Sequence, residues 1–303
     1  MTDLKLFQTL NGALCELESS SAPLEKGLQT QFENNLDTLL GVRFLASEYS
    51  TTHGGRMDTL GVDENGYPVI IEYKRDRSEN VINQGLFYLD WLMDHRGDFE
   101  LLVRNRYGKE AADKIEWGAP RLICIAADFT KYDEHAVKQM GRNIELIRYR
   151  KFGGDLLLLE LLTAVSATTG GNAIPTPVNG AKPRKDKTVS EYLADMGPEL
   201  AELFADAETY LLGRGDDVTK KVTQFYLAYR RIKNFGCLEV RPTLNQLKMF
   251  LKLDPDTVEL VEGFSRDVRK IGHYGTGDLE LTIGSHDDLE RAKPLILRSY
   301  EES

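Results

Sequence analysis

The chain offers one short stretch in which residue types and spacing suggest chemistry. In Pro68-Val69-Ile70-Ile71-Glu72-Tyr73-Lys74, an apolar run ends in an acid and an amine two positions apart. A run apolar on both faces reads as a strand at a sheet centre, where alternation puts Glu72 and Lys74 on one face. Burying either charge alone is costly, so the two read as sharing a site, although a structural ion pair at a strand end would satisfy them as well. A second strand with Asp58 precedes it, and the turn signal Asp63-Glu64-Asn65-Gly66 between them predicts an antiparallel hairpin.

The register of that hairpin decides what Asp58 can do. A two-residue Asn65-Gly66 turn pairs Glu64 with Tyr67 and sets Asp58 opposite Tyr73, so that Asp58 and Glu72 face opposite sides of the sheet. A three-residue loop, Glu64 to Gly66 with Gly66 left-handed, pairs Asp63 with Tyr67 instead. Asp58 then lies across from Glu72, and Arg56 across from Lys74. Directly opposite residues have Cβ atoms about 5 Å apart, so the two carboxylates can share a divalent ion. The second register is expected, or a bulge that restores it.

Two neighbouring elements can add to this pair. A helix is expected from Pro23, with apolar residues at Leu24, Leu28, Phe32, Leu36, Leu39 and Leu40 on one stripe. Glu33 falls at the edge of that stripe, where it can reach inward at a sheet end; by position alone a solvated helix glutamate is the simpler reading. After the hairpin, Gln84 and Tyr88 stand at i and i+4 on one helical face, with Gly85 between them permitting close backbone approach. Such a pair can hydrogen-bond phosphate or orient Lys74 and a metal-bound water.

In this order (Glu33 on the first helix, Gly55-Arg56-Met57-Asp58, then Ile71-Glu72-Tyr73-Lys74) the set resembles the PD-(D/E)XK nuclease superfamily. The pair Gln84 and Tyr88 resembles its RecB-like branch, and the motifs are also similar to archaeal-type mismatch and branched-DNA endonucleases. The resemblance covers roughly residues 25–92; Met57 stands where the family often has proline. It implies a restriction-endonuclease-like α/β fold with a mixed sheet flanked by helices. It further implies Mg²⁺ or Mn²⁺ held by Asp58, Glu72, the Tyr73 carbonyl and, directly or through water, Glu33. Lys74 would orient or deprotonate the metal-bound water and steady the phosphate, with Gln84 and Tyr88 in support; beside the motifs, Arg56 and Arg75 are candidate nucleic-acid contacts. The substrate implied is DNA, with RNA left open. Repair and defence both fit. A non-catalytic nucleic-acid-binding or assembly module on a nuclease fold is the rival reading.

Other chemistries find little footing. The histidines (His53, His95, His135, His273, His286) are scattered, and Cys15, Cys124 and Cys237 give no zinc spacing. His53 on a Gly-rich loop can contact phosphate or simply face solvent. No nucleophile elbow or P-loop occurs, and Gly153-Gly154 and Gly170-Gly171 lack the context of a phosphate cradle. Two of the cysteines lie in apolar strand-like stretches, so buried free thiols in a reducing cytoplasm are expected.

The elements that must position these residues follow from periodicity. A hairpin is expected over 4–17 around Asn11-Gly12. Further strands are expected at 43–49, 56–63, 67–74, 120–127, 144–150 and 155–162, with helices at 79–95, 98–115 and 132–140. A Gly-, Pro- and Thr-rich stretch at 166–189, ending in Lys182, Arg184, Lys185 and Lys187, reads as a linker. It divides a domain at 1–165 from a smaller α+β domain at 190–303. The latter has helices expected near 198–212, 256–271 and 286–300 and strands near 236–240, 246–253 and 278–284. There, Tyr226, Tyr229, Arg230, Arg231, Lys233 and Phe235 interleave rings and cations, either as a nucleic-acid surface or as a solvated face around an aromatic core. This domain could also serve a homodimer. The net charge of −10 argues against coating nucleic acid through bulk charge, though not against one local site. No apolar run approaches the roughly 20 residues of a membrane span, and no membrane partner is expected.

Overall fold

The computed structural model describes residues 4–20, 26–74, 81–165 and 187–303, in two compact units, Met1–Gly170 and Gly171–Ser303. The first unit opens with strands β1 (Leu6–Leu10) and β2 (Ala13–Leu17). They pair Leu10 with Ala13 around Asn11-Gly12, both at positive φ, as a two-residue hairpin turn requires. There follow β3 (Ser19–Ser20), α1 (Lys26–Asn34), α2 (Leu36–Leu40), β4 (Val42–Ser50), β5 (Arg56–Asp63) and β6 (Pro68–Lys74). Next come α3 (Val81–Asp94), α4 (Arg96–Tyr107), α5 (Lys109–Ala112), β7 (Arg121–Ala126), α6 (Lys131–Gln139), β8 (Ile144–Phe152) and β9 (Leu156–Val165). Pro23, the expected helix start, lies outside the described residues, and the single helix expected at 98–115 breaks at Gly108.

Seven strands form a mixed sheet in the order β3-β8-β7-β6-β5-β4, with β9 also pairing β8. The meander β4-β5-β6 is antiparallel, whereas β6-β7 and β7-β8 are parallel. Helices flank the sheet, which is the α/β class expected. The β6 run is buried throughout: Val69, Ile70 and Ile71 are fully inaccessible, because β6 has a neighbour on each side and helices on both faces. From α1, Phe32 packs edge-on against Tyr73 at 5.9 Å. From α3, Gly85 rests on β7, where a Cβ would come within 2.4 Å of Leu122, so only glycine lets the helix sit this close.

One buried ion triad pins the hairpin. Asp63 Oδ1 accepts from the Asn65 and Tyr67 amides, both at 2.9 Å, and Gly66 takes φ +84°. Asp63 Oδ2 accepts from Arg121 Nη1 at 2.9 Å, and Arg121 grips Glu145 with Nε and Nη2 at 2.9 and 2.8 Å. The Arg121 side chain is 2% exposed. Burial works against its charge, but Glu145 and Asp63 more than offset this and hold it protonated. The triad thus ties the β5–β6 turn to β7 and β8.

The second unit holds α7 (Val189–Ala194), α8 (Pro198–Leu212), β10 (Thr219–Val222), β11 (Leu227–Arg230), β12 (Asn234–Arg241), β13 (Gln246–Leu251), β14 (Ser265–Asp267), β15 (Leu279–Ile283) and α9 (His286–Glu302). Its six strands form an antiparallel sheet ordered β10-β11-β12-β13-β15-β14, an α+β arrangement. The helix expected near 256–271 is absent: a 3₁₀ turn spans Pro255–Thr257, and β14 pairs with β15 instead. Val258, Val261, Phe264 and Val268 do have near-helical spacing, but Gly263 takes φ +80°, and Phe264 and Val268 turn into the core. Tertiary burial overrides local periodicity here. Most of the expected linker lies outside the described residues.

Breaking the triad should be severe, because it strands a buried charge. Arg121→Ala is expected to cost about 3–5 kcal/mol, read by denaturant unfolding. A loss below about 1 kcal/mol would show that the turn holds without it.

Candidate active site

Asp58 and Glu72 meet where the β5–β6 ladder ends. Thr59 pairs with Ile71 and Val62 with Pro68, and Asp63 N–H donates to Tyr67 O at 2.9 Å, which is the register of the three-residue loop. One step beyond Thr59–Ile71, side chains replace the ladder carbonyls. The Asp58 amide donates to Glu72 Oε1 at 3.1 Å, and the Tyr73 amide donates to Asp58 Oδ2 at 3.0 Å. These reciprocal bonds orient both carboxylates. Glu72 is 1% exposed, a burial that a carboxylate sustains only with such partners.

Glu33 is anchored elsewhere on the hairpin. Its Oε1 accepts from Thr59 Oγ at 2.7 Å, Ser47 Oγ at 2.8 Å and Gln29 Nε2 at 3.1 Å. Thr59 alternates with Asp58, so this anchor is on the opposite face of β5 from the acidic pair. Gln29 Nε2 also donates to the Asp58 backbone carbonyl at 3.4 Å. Residue spacing alone gave no sign of Gln29, Ser47 or Thr59, since each matters only after the helix docks. The Tyr73 ring is also buried there, and its hydroxyl meets no hydrogen-bond geometry among the described residues, although Thr59 lies beside it. Burial first, then the charges of Glu33, Asp58 and Glu72, push its ionisation well above the ordinary phenol range.

The far side of the pair is set by α3. Tyr88 Oη accepts from the Arg56 amide at 3.0 Å and from Gln84 Nε2 at 3.1 Å, so the expected i, i+4 pair is hydrogen-bonded and fastened to the start of β5. The Arg56 side chain pairs with Glu48 at 3.1 Å. Glu48 lies between the pairs Ser47–Thr59 and Tyr49–Met57, which puts it beside Asp58 on the next strand. Its backbone is left-handed, with φ +49°, and spacing did not single it out. Lys74 closes β6; its side chain and Arg75 lie outside the described residues.

In the second unit the interleaved stretch is largely core. Tyr229 and Phe235 are fully buried. Arg230 is buried with its guanidinium donating to the Ile232 carbonyl, and Arg231 pairs with Asp217 at 2.6 Å beside the Tyr300 ring. Lys233 is half-buried. The three cations are therefore not laid out together on an open face.

Among the described residues, no group of three or more His, Cys, Asp or Glu side chains is arranged to hold a metal ion. Two opposed carboxylates do fit Mg²⁺, which is usually held by one or two carboxylates and completes its octahedron with water and phosphate. Among the described residues, no helix is long and apolar enough to cross a membrane.

No family model matches the chain. A Haemophilus influenzae chain described as an uncharacterized protein is 28% identical over 306 residues, covering 99% of this chain and all of that one. Among solved structures, a repair endonuclease from Pyrococcus abyssi aligns with 43% of this chain and 50% of its own, at 21% identity and TM-score 0.27. An EndoMS–dsDNA complex aligns with 39% and 42%, at 22% identity and TM-score 0.23.

Tyr88→Phe removes an acceptor shared by two donors and is expected to cost about 1–3 kcal/mol in denaturant unfolding; a neutral effect would show that the Arg56 amide finds another partner. A free tyrosine ionises near pH 10, whereas folded Tyr73, like Tyr67, stays neutral to higher pH. The unfolded chain therefore binds fewer protons above about pH 10. Thermal midpoints should be steady up to that pH on this account and fall above it. Tyr73→Phe should flatten part of the fall, and an unaltered slope would count against the buried phenol.

Proposed function

We propose that the N-terminal unit hydrolyses phosphodiester bonds in DNA with a divalent cation, Mg²⁺ or Mn²⁺, held by Asp58 and Glu72. The observation that carries this reading is the pairing of two oriented carboxylates, Glu72 buried and Asp58 half-buried, directly across an antiparallel ladder that ends at them. The Tyr73 carbonyl, next along β6, is the natural third oxygen. When bound, such a cation lowers the pKa of a coordinated water and offsets charge building on the phosphate.

The chain's own residues supply the rest. Asp58 and Glu72, each tied to a backbone amide, present fixed negative charge that draws a cation and then a phosphate to one point. Tyr88 and Gln84 hold the first residue of β5 and so fix the approach of Asp58 to Glu72. Glu33, gripped by three donors, keeps α1 against β5 and adds negative potential behind the pair. Lys74, two residues beyond Glu72, is assigned by sequence resemblance to steady the phosphate. A lysine among carboxylates keeps its proton more readily, so an electrostatic role suits it better than that of general base. Arg56, held by Glu48, can release to a phosphate at the cost of one exposed ion pair, worth at most about 1 kcal/mol.

The test is a cleavage panel with Mg²⁺ and with Mn²⁺ on single-stranded, duplex, branched and mismatched DNA and on RNA. Asp58→Asn and Glu72→Gln should each lower turnover on the order of 10²-fold or more, with the fold intact by circular dichroism. Lys74→Ala should abolish cleavage while largely sparing substrate binding. Wild-type protein that binds DNA yet cleaves nothing on the panel would leave a binding module, not an enzyme.

A further inference from the structure

One stripe of α3 carries more than the pair beside β5. Gln84, Tyr88, Trp91 and, just past the helix end, His95 follow at spacings of four, three and four, a single helical face. Beyond Tyr88 the stripe continues as a series of rings. Tyr49 lies 5.7 Å from Trp91, Trp91 stacks on His95 at 4.2 Å and 12°, and His95 meets His53 at 5.4 Å and 87°. The inner members are buried or half-buried, and His53 is exposed.

Hydrogen bonds tie the middle of this series together. Trp91 Nε1–H donates to Thr52 Oγ at 2.9 Å. Thr52 Oγ lies 3.2 Å from His95 Nε2, and His95 Nδ1 lies 2.8 Å from the Trp91 carbonyl. Both ring nitrogens of His95 are thus engaged, Nδ1 by the Trp91 carbonyl and Nε2 by the Thr52 hydroxyl. The Thr51 amide donates to Gly55 O at 3.0 Å, closing the loop on itself. The His53 imidazole thus lies exposed five residues before Asp58, at the end of an aromatic series rooted in the core.

We propose that His53, backed by His95 and Trp91, is a stacking platform for an unpaired nucleobase next to the scissile phosphate. The preferred substrate is accordingly DNA with a single-stranded segment. This rests on the nuclease reading above and specifies its substrate class. Three observations favour it. The platform continues the same helical stripe that fastens β5 beside the acidic pair. A base within an intact duplex is already stacked and reaches a protein ring only after unpairing, so the platform serves strands already open. The chain carries a net charge of −10 and its site is acidic, so phosphate attraction is weak, whereas stacking accepts any base and adds affinity without charge.

The experiment uses the full-length protein in EDTA, where cleavage does not interfere, titrated into a single-stranded oligonucleotide carrying 2-aminopurine and into its perfect duplex. The wild type is expected to bind the single strand more tightly and to quench its fluorescence. His53→Ala should weaken single-strand binding on the order of 5- to 150-fold and lose the quench, with duplex binding and the thermal midpoint unchanged. His53→Phe should restore both. Unchanged single-strand affinity in His53→Ala, equal losses on single strand and duplex, or tighter wild-type binding to duplex would each overturn the proposal. A metal panel without cleavage would remove the nuclease reading while leaving the fluorescence result to be judged separately.

Discussion

The arrangement of the first unit depends on the register between β5 and β6. Side chains alternate faces along a strand, so a slip of one residue would send Asp58 to the other side of the sheet. The chain secures this register at the end of the hairpin far from the acids. Asp63 turns back on the Asn65 and Tyr67 amides while Arg121 clamps it from β7. A buried ion triad is a doubtful source of net stability, since desolvation consumes much of the attraction. What it provides here is a defined geometry: any other pairing leaves one of three charges buried without its partner.

From that anchor the ladder carries geometry outward to the acids. The sheet contributes regular backbone bonds up to Thr59–Ile71, and then the carboxylates of Asp58 and Glu72 take over the acceptor role. Two like charges facing each other at a strand end are normally unfavourable. Here each carboxylate accepts from a backbone amide of the facing strand, which offsets part of that repulsion. Glu33 and Tyr73 extend the same field into the α1 side, where a neutral phenol surrounded by acids lines the interior. The helix α3 closes the other side through one hydroxyl that accepts two donors.

Much of this was legible in residue order. The Asn11-Gly12 hairpin and the apolar β6 run follow from turn chemistry and alternation, which act over a few residues, and the same rules narrowed the β5–β6 turn to two registers, of which the expected three-residue loop is the one formed. The pairing of Gln84 with Tyr88 follows from helical spacing in the same way. Where local pattern and burial competed, pattern failed. Val258 to Val268 have helical spacing but were drawn into the second core as loop and strand, and the mixed aromatic–cationic stretch around Tyr229 and Arg230 became mostly interior. The single helix expected at 98–115 breaks at Gly108, a reminder that periodicity locates elements better than it bounds them.

The sequence by itself determined that β5 and β6 form a hairpin in one of two registers, of which one brings Asp58 across from Glu72, because loop length and the two-residue period of a strand allow no more; the Asp63–Arg121–Glu145 triad pins the one adopted. Only the tertiary structure decided which face Glu33 joins, which hydroxyls hold it, that Glu48 stands beside Asp58, and that His53, His95 and Trp91 form one series. Those relations join segments tens of residues apart, and their geometry exists only once helices have packed on the sheet, where shape and burial rather than spacing select the neighbours.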